Sequence, residues 1–204
     1  MLALGALPLL VGCGGGTRQD AGEPSGTFEM KLLHASFPTK QSIARPASME
    51  LQVQNTGSHA VPNVAVTVDS FDYTIAPLNE LAANKRPIWA IEQGPGAIAK
   101  APVETQEVSA PGGDQTAYVN TWALGRLAAG ATATFIWKVV PVKPGTHTVH
   151  FAVAAGLSGK AKARLASGGL ANGQFTVDIA PAPPVTHVNP STGRIETGAS
   201  PSSP

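Results

Sequence analysis

From Thr27 to about Ile179 apolar residues recur at every second position in one segment after another, and this period constrains the fold more than any other feature of the chain. In "MELQVQ", Met49, Leu51 and Val53 alternate with Glu50, Gln52 and Gln54. A period of two sends successive side chains to opposite faces, so the segment is expected to be a half-buried strand. Asn55-Thr56-Gly57 is a turn signal, after which Val64, Val66 and Val68 share one face and Thr67 and Asp69 the other. The two segments read as neighbouring strands joined by a short loop. Further on, "GATATFIWKVV" sets Ala133, Phe135, Trp137 and Val139 against Thr132, Thr134 and Lys138. Pro144-Gly145 turns the chain, "THTVHFAV" supplies Val149, Phe151 and Val153, and "GQFTVDI" supplies Phe175, Val177 and Ile179. Short alternating strands between regular turn signals predict an all-β, antiparallel β-sandwich over residues 27–180. Phe135, Trp137, Val149 and Phe151 are expected in one core between its sheets.

Composition agrees with this. The 204 residues are 43% hydrophobic, enough to bury a core in one domain, while Gly 22 and Pro 18 favour turns over long helices. Charged residues make up 13% of the chain, against a usual share of about a quarter. Lys+Arg 14 and Asp+Glu 13 leave a net charge of +1 with no basic run in the sequence, which argues against nucleic acid as a partner.

The succession "LQVQNTGSHAVPNVAVTV", "LGRLAAGATATFIWKV" and "KPGTHTVHFAV" resembles the bacterial Ig-like modules of the cell-adhesion-related, CARDB-like group. The resemblance runs from Met49 to Val153 and rests on Asn-Thr-Gly after one strand, Leu-x-x-Gly before a later one and Pro-Gly-Thr before the next. It implies an Ig-like sandwich and says little about activity, because these motifs are turn and core features. In the register of the Ig strand F signature, His147 stands at the tyrosine position and Val149 at the cysteine position, so the implied domain lacks the inter-sheet disulfide.

The single cysteine of the chain lies near the N-terminus, behind the apolar run Leu2 to Val11. At about ten residues this run is too short to cross a hydrocarbon core of ~30 Å as a helix and has the length of a signal-peptide h-region. Leu10-Val11-Gly12-Cys13 resembles the lipobox of bacterial lipoproteins. The resemblance implies lipidation of the Cys13 thiol with a diacylglyceryl group, removal of residues 1–12, and a place at the cell membrane, lipid-anchored on the extracytoplasmic face. Two acyl chains anchor stably where one is marginal. Residues 13–26, with "GGGTRQDAGEPSG" after the cysteine, read as a flexible tether. No Lys or Arg precedes the apolar run, a departure from the usual positive start of a signal peptide. The competing reading is an apolar N-terminus packed into the core with a buried free thiol.

Residues 75–115 exceed what a plain sandwich needs, and loops of that length in compact domains are often functional. A short strand is expected at Ile88 to Ile91. Arg86, Trp89 and Glu92 are candidates for a partner-binding patch, since Trp and Arg are enriched at binding hot spots; the alternative is a Trp89 that covers a sheet edge or fills the core. No nucleophile elbow, phosphate-binding loop, dinucleotide fingerprint or His-Glu-x-x-His motif occurs, and no catalytic, cofactor or metal residue is nominated. His34, His59, His147, His150 and His187 are expected to be structural or solvated, and neither Asp69 with Asp72 nor Glu104 with Glu107 has a partner base nearby in sequence. Residues 181–204, rich in Pro, Ser and Thr, are expected to be a disordered tail. The functional expectation is a non-enzymatic binding or structural module at the cell envelope, acting on an unidentified envelope protein or ligand. The alternative is an accessory enzyme or metal-handling protein with its site in the 75–115 loop.

Overall fold

Segments with period two form the middle of two stacked sheets. A computed structural model describes residues 20–71, 87–95, 120–182, 185–189 and 191–197. The strands among them are β1 (Gly26–Ser36), β2 (Lys40–Ser42), β3 (Ala47–Asn55), β4 (Ala65–Val68), β5 (Trp89–Gln93), β6 (Thr121–Ala123), β7 (Thr132–Pro141), β8 (Gly145–Ala154), β9 (Ala161–Leu165), β10 (Asn172–Ala180), β11 (Thr186–Val188) and β12 (Ile195–Thr197). The first sheet has the order β5-β7-β3-β1-β9 and the second β2-β10-β8-β4-β6, while β11 and β12 form a separate hairpin. The protein is an all-β sandwich.

Register explains the core. Antiparallel pairing of β3 with β7 sets Met49 against Trp137 and Leu51 against Phe135, and all four are buried. In the facing sheet β8 sets Val149 against Phe175 of β10, and Phe151 and Val153 against Val68 and Val66 of β4. Phe135, Trp137, Val149 and Phe151 belong to one buried cluster, as the alternation predicts. The rings of Phe135 and Trp137 stack 5.7 Å apart at 14°, and Trp122 meets Trp137 edge-on at 5.6 Å. Such pairs add to the area-driven stabilisation of aromatic burial.

Several expectations need correcting. β3 and β4 are not neighbours, because they lie in different sheets. Alternation marks a buried face without telling whether two such faces stand side by side or opposite each other. Here the chain crosses over at Asn55, whose buried Nδ2 donates to the carbonyls of His59, Leu127 and Ala128 at 2.9, 3.1 and 3.0 Å, while its Oδ1 accepts from the Gly57 N–H at 3.1 Å. The sandwich is also not wholly antiparallel: β1 runs parallel to β9 and β2 parallel to β10. The strand expected at Ile88 to Ile91 is β5, from Trp89 to Gln93. Finally, the tail expected to be disordered contains the β11–β12 hairpin, which pairs Thr186 with Thr197 and Val188 with Ile195. Its turn is set by Asn189, whose Oδ1 accepts from the N–H groups of Ser191 and Thr192 at 2.9 and 3.2 Å.

Candidate functional site

Of the three nominated partner-binding residues, Arg86 lies outside the described residues. Trp89 is 0% exposed and belongs to the core, so it offers no surface to a partner. The cause is local. β5 pairs with the end of β7, Trp89 against Pro141, and the Ile88 carbonyl accepts from the Val142 N–H at 2.8 Å, which turns the indole inward between the sheets. There its ring meets Phe37 at 5.4 Å, Phe71 at 5.8 Å and His147 at 6.2 Å, and its Nε1–H donates to Gln41 Oε1 at 2.8 Å. Glu92, three residues on, is exposed. The structure therefore separates Trp89 from Glu92.

An aromatic root emerges in place of the patch. Phe71 is the last described residue before 72–86, Trp89 follows that segment closely, and Trp122 follows segment 96–119. All three are buried, and the Phe71 ring lies 5.8 Å from Trp89, 6.4 Å from Trp122 and 6.2 Å from Trp137. The exits are also fastened by hydrogen bonds. The Val68 N–H donates to the Asn120 carbonyl at 2.9 Å, and the hydroxyls of Thr67 and Thr121 meet at 2.9 Å. Sequence reasoning missed this root because single aromatics beside irregular stretches carry no period.

Asp69 fastens the same place from outside. Its carboxylate accepts the backbone N–H of His150 at 2.9 Å and the Ser70 hydroxyl at 2.9 Å, and lies 2.8 Å from His150 Nδ1. Partial burial would raise the carboxyl pKa, but the hydrogen bonds from the His150 backbone and ring and from Ser70, with the His150 charge, hold it below its ordinary value.

An open groove of about 560 Å³ lies between the start of β1 and the loop after β3, lined by Phe28, Glu29, Gly57, Ser58 and His59 among others. The loop is held in shape by Asn55, and Ser58 Oγ and His59 Nδ1 meet at 3.0 Å on its exposed tip. The other histidines are dispersed: His34 is exposed, His147 Nε2 lies 3.1 Å from the Pro144 carbonyl, and His187 Nε2 lies 3.7 Å from Glu196. Among the described residues no group of three His, Cys, Asp or Glu side chains could hold a metal ion. Cys13, Asp72, Glu104 and Glu107 lie outside the described residues. Among the described residues, no helix is long and apolar enough to cross a membrane.

No protein-family model matches the chain, and no curated protein matches it. Among solved structures it is similar to the CARDB domain of a Pyrococcus furiosus protein. The solution NMR structure of that domain shares 12% identity at a TM-score of 0.41, over 74% of this chain and 94% of that one. A crystal structure of the same domain in complex with di-metal ions shares 12% identity at a TM-score of 0.42, over 76% and 96%. PapD-like domain 7 of human CEP192 shares 11% identity at a TM-score of 0.39, over 84% and 98%. No residue role is carried over from these proteins.

Proposed function

We propose that the chain is an extracytoplasmic lipoprotein, anchored to the membrane through Cys13, whose sandwich is a non-enzymatic binding module presenting segments 72–86 and 96–119 to an envelope partner. The observation that carries the binding role is the packing of Phe71 between Trp89 and Trp122, which brings described residues flanking both long segments into one core. Loops on such a scaffold are where sandwich domains place recognition. The anchoring role is carried by Leu10-Val11-Gly12-Cys13 and by the short chain that follows it. Glu23 lies ten positions after Cys13, a reach of at most about 35 Å. At Glu23 the chain is gripped by the body: its carboxylate accepts the N–H groups of Leu157 and Ser158 at 2.8 Å.

Two variants test the two halves separately. After a carbonate wash, which strips peripheral binding, Cys13→Ala is expected in the soluble fraction; retention in the washed membrane would refute the anchor. Replacing residues 97–118 with a short Gly-Ser linker is expected to preserve the unfolding midpoint and abolish cross-linking to the partner captured by the intact chain. Undiminished cross-linking would remove segment 96–119 from the binding surface.

A further inference from the structure

β9 carries Lys162 and Arg164 on alternate residues, and Lys160 immediately precedes it, so the three cations line one face at the outer edge of the first sheet. Parallel pairing sets Lys162 against Thr27 and Arg164 against Glu29 of β1, and Lys31, two residues beyond Glu29, continues the same face. Lys31, Lys160 and Lys162 are exposed, and among the described residues none of them takes part in an ion pair. Arg164 donates from one guanidinium nitrogen to the Gly168 carbonyl at 2.9 Å. Glu23 is occupied by the backbone N–H groups of Leu157 and Ser158, and Glu29 stands opposite Arg164 on the same face as the lysines. In a chain whose net charge is +1, this is a local concentration of positive charge that the linear sequence conceals, because β1 and β9 are far apart along it.

Its place in the molecule points to an occupant. The Gly26 N–H donates to the Lys160 carbonyl at 3.1 Å, so the basic face begins where the tether joins β1. Gly26 lies thirteen positions after Cys13, at most about 45 Å of chain. We propose that this face docks on the anionic phospholipid headgroups of the membrane that holds Cys13, an inference that rests on the lipoprotein reading. Each basic residue close to an anionic bilayer strengthens attachment by about fivefold. Docking would lay the first sheet's β9 edge against the bilayer and set the orientation of the long segments. Lysines on an edge strand also oppose pairing with a second sheet, a role indifferent to lipid composition.

The test uses the full chain carrying Cys13→Ala, which has no acyl chain to mask weak binding, with vesicles of phosphatidylglycerol mixed into phosphatidylcholine and with vesicles of phosphatidylcholine alone. Binding is expected on the anionic vesicles only and is expected to fall with salt. Adding Lys31→Gln, Lys160→Gln and Lys162→Gln should weaken it about a hundredfold with an unchanged unfolding midpoint. A control with the same loss of charge, Arg126→Gln with Lys138→Gln and Lys143→Gln, should bind as before. Absence of binding, equal binding to both vesicles, or equal weakening by the control set would overturn the proposal. Fractionation of the unmodified chain reads the anchor independently: a membrane-bound native protein with no vesicle preference keeps the anchor and rejects the docking face, whereas a soluble native protein rejects the anchor.

Discussion

The indole N–H of Trp89 on β5 reaches Oε1 of Gln41 on β2 at 2.8 Å, joining an edge strand of one sheet to an edge strand of the other. Both residues are buried, and the Gln41 amide nitrogen donates in turn to the Pro38 carbonyl at 2.9 Å. A single cysteine leaves no disulfide to staple the sheets within one chain, and this contact is a directional link between them. Gln41→Leu should leave the indole N–H unpaired and cost about 1–3 kcal/mol. Trp89→Ala should cost about 3–5 kcal/mol, as aromatic truncation in a core does. Urea midpoints measure both, and a Trp89→Ala protein as stable as the parent would contradict the inward placement.

Trp137 and Ile136 are adjacent on β7 and point opposite ways. Trp137 is 0% exposed, stacked on Phe135 and edge-on to Trp122, whereas Ile136 is only partly buried. Trp137→Ala is expected to lower stability by about 3–5 kcal/mol, a large share of the 5–15 kcal/mol or so typical of a domain. Ile136→Ala should cost far less. Equal shifts in the thermal midpoint would mean that the two faces of β7 are assigned the wrong way round.

Gly173 sits directly across from Phe151 in the β8–β10 ladder, and a Cβ at that position would lie 2.5 Å from the Phe151 ring. The ring covers the glycine and stacks on Phe175 at 5.6 Å. Gly173→Ala should therefore destabilise by about 1–3 kcal/mol through overpacking, although alanine suits strands better than glycine elsewhere. Combining it with Phe151→Leu should recover part of the loss, which a double-mutant cycle would read.

Asp69 makes stability depend on pH in a defined direction. Its folded carboxyl is held below the ordinary value of 3.8, so its contribution is present above that value and is lost as pH falls through the lower folded one. Asp69→Asn should be less stable than the parent at neutral pH, and the gap should close in acid. Denaturant midpoints measured across pH 7 to pH 2, a range chosen to bracket the usual carboxylate titration at about 3.9, check this. A gap that stays constant with pH would remove the charge of Asp69 from the account.

Legibility varied with the kind of strand. β3, β7, β8 and β10 could be read directly, since each is long and faces solvent on one side. β1 escaped because its register shifts between Leu32 and His34, which breaks the period in "MKLLHAS". β9 escaped because its inward residues are Ala161 and Ala163, too small to mark an apolar face. For Trp89 the sequence left two readings, a partner-binding residue or one that covers a sheet edge or fills the core, and the structure shows the core: its strand has five residues with a register shift between Ile91 and Gln93, and its neighbours Phe37 and Phe71 are remote in sequence. The basic face was invisible for the same reason, since pairing creates it.

The parallel ladder between β1 and β9 has a mechanical consequence. β1 is hydrogen-bonded on both sides, to β3 and to β9, and its first residue, Gly26, comes three positions after the Glu23 grip. Tension applied through the N-terminal tether along the strand axis must shear both ladders at once, with their hydrogen bonds sharing the load, instead of peeling them open one at a time. The end of the chain that would bear the pull of a membrane is thus the end built to resist being drawn out.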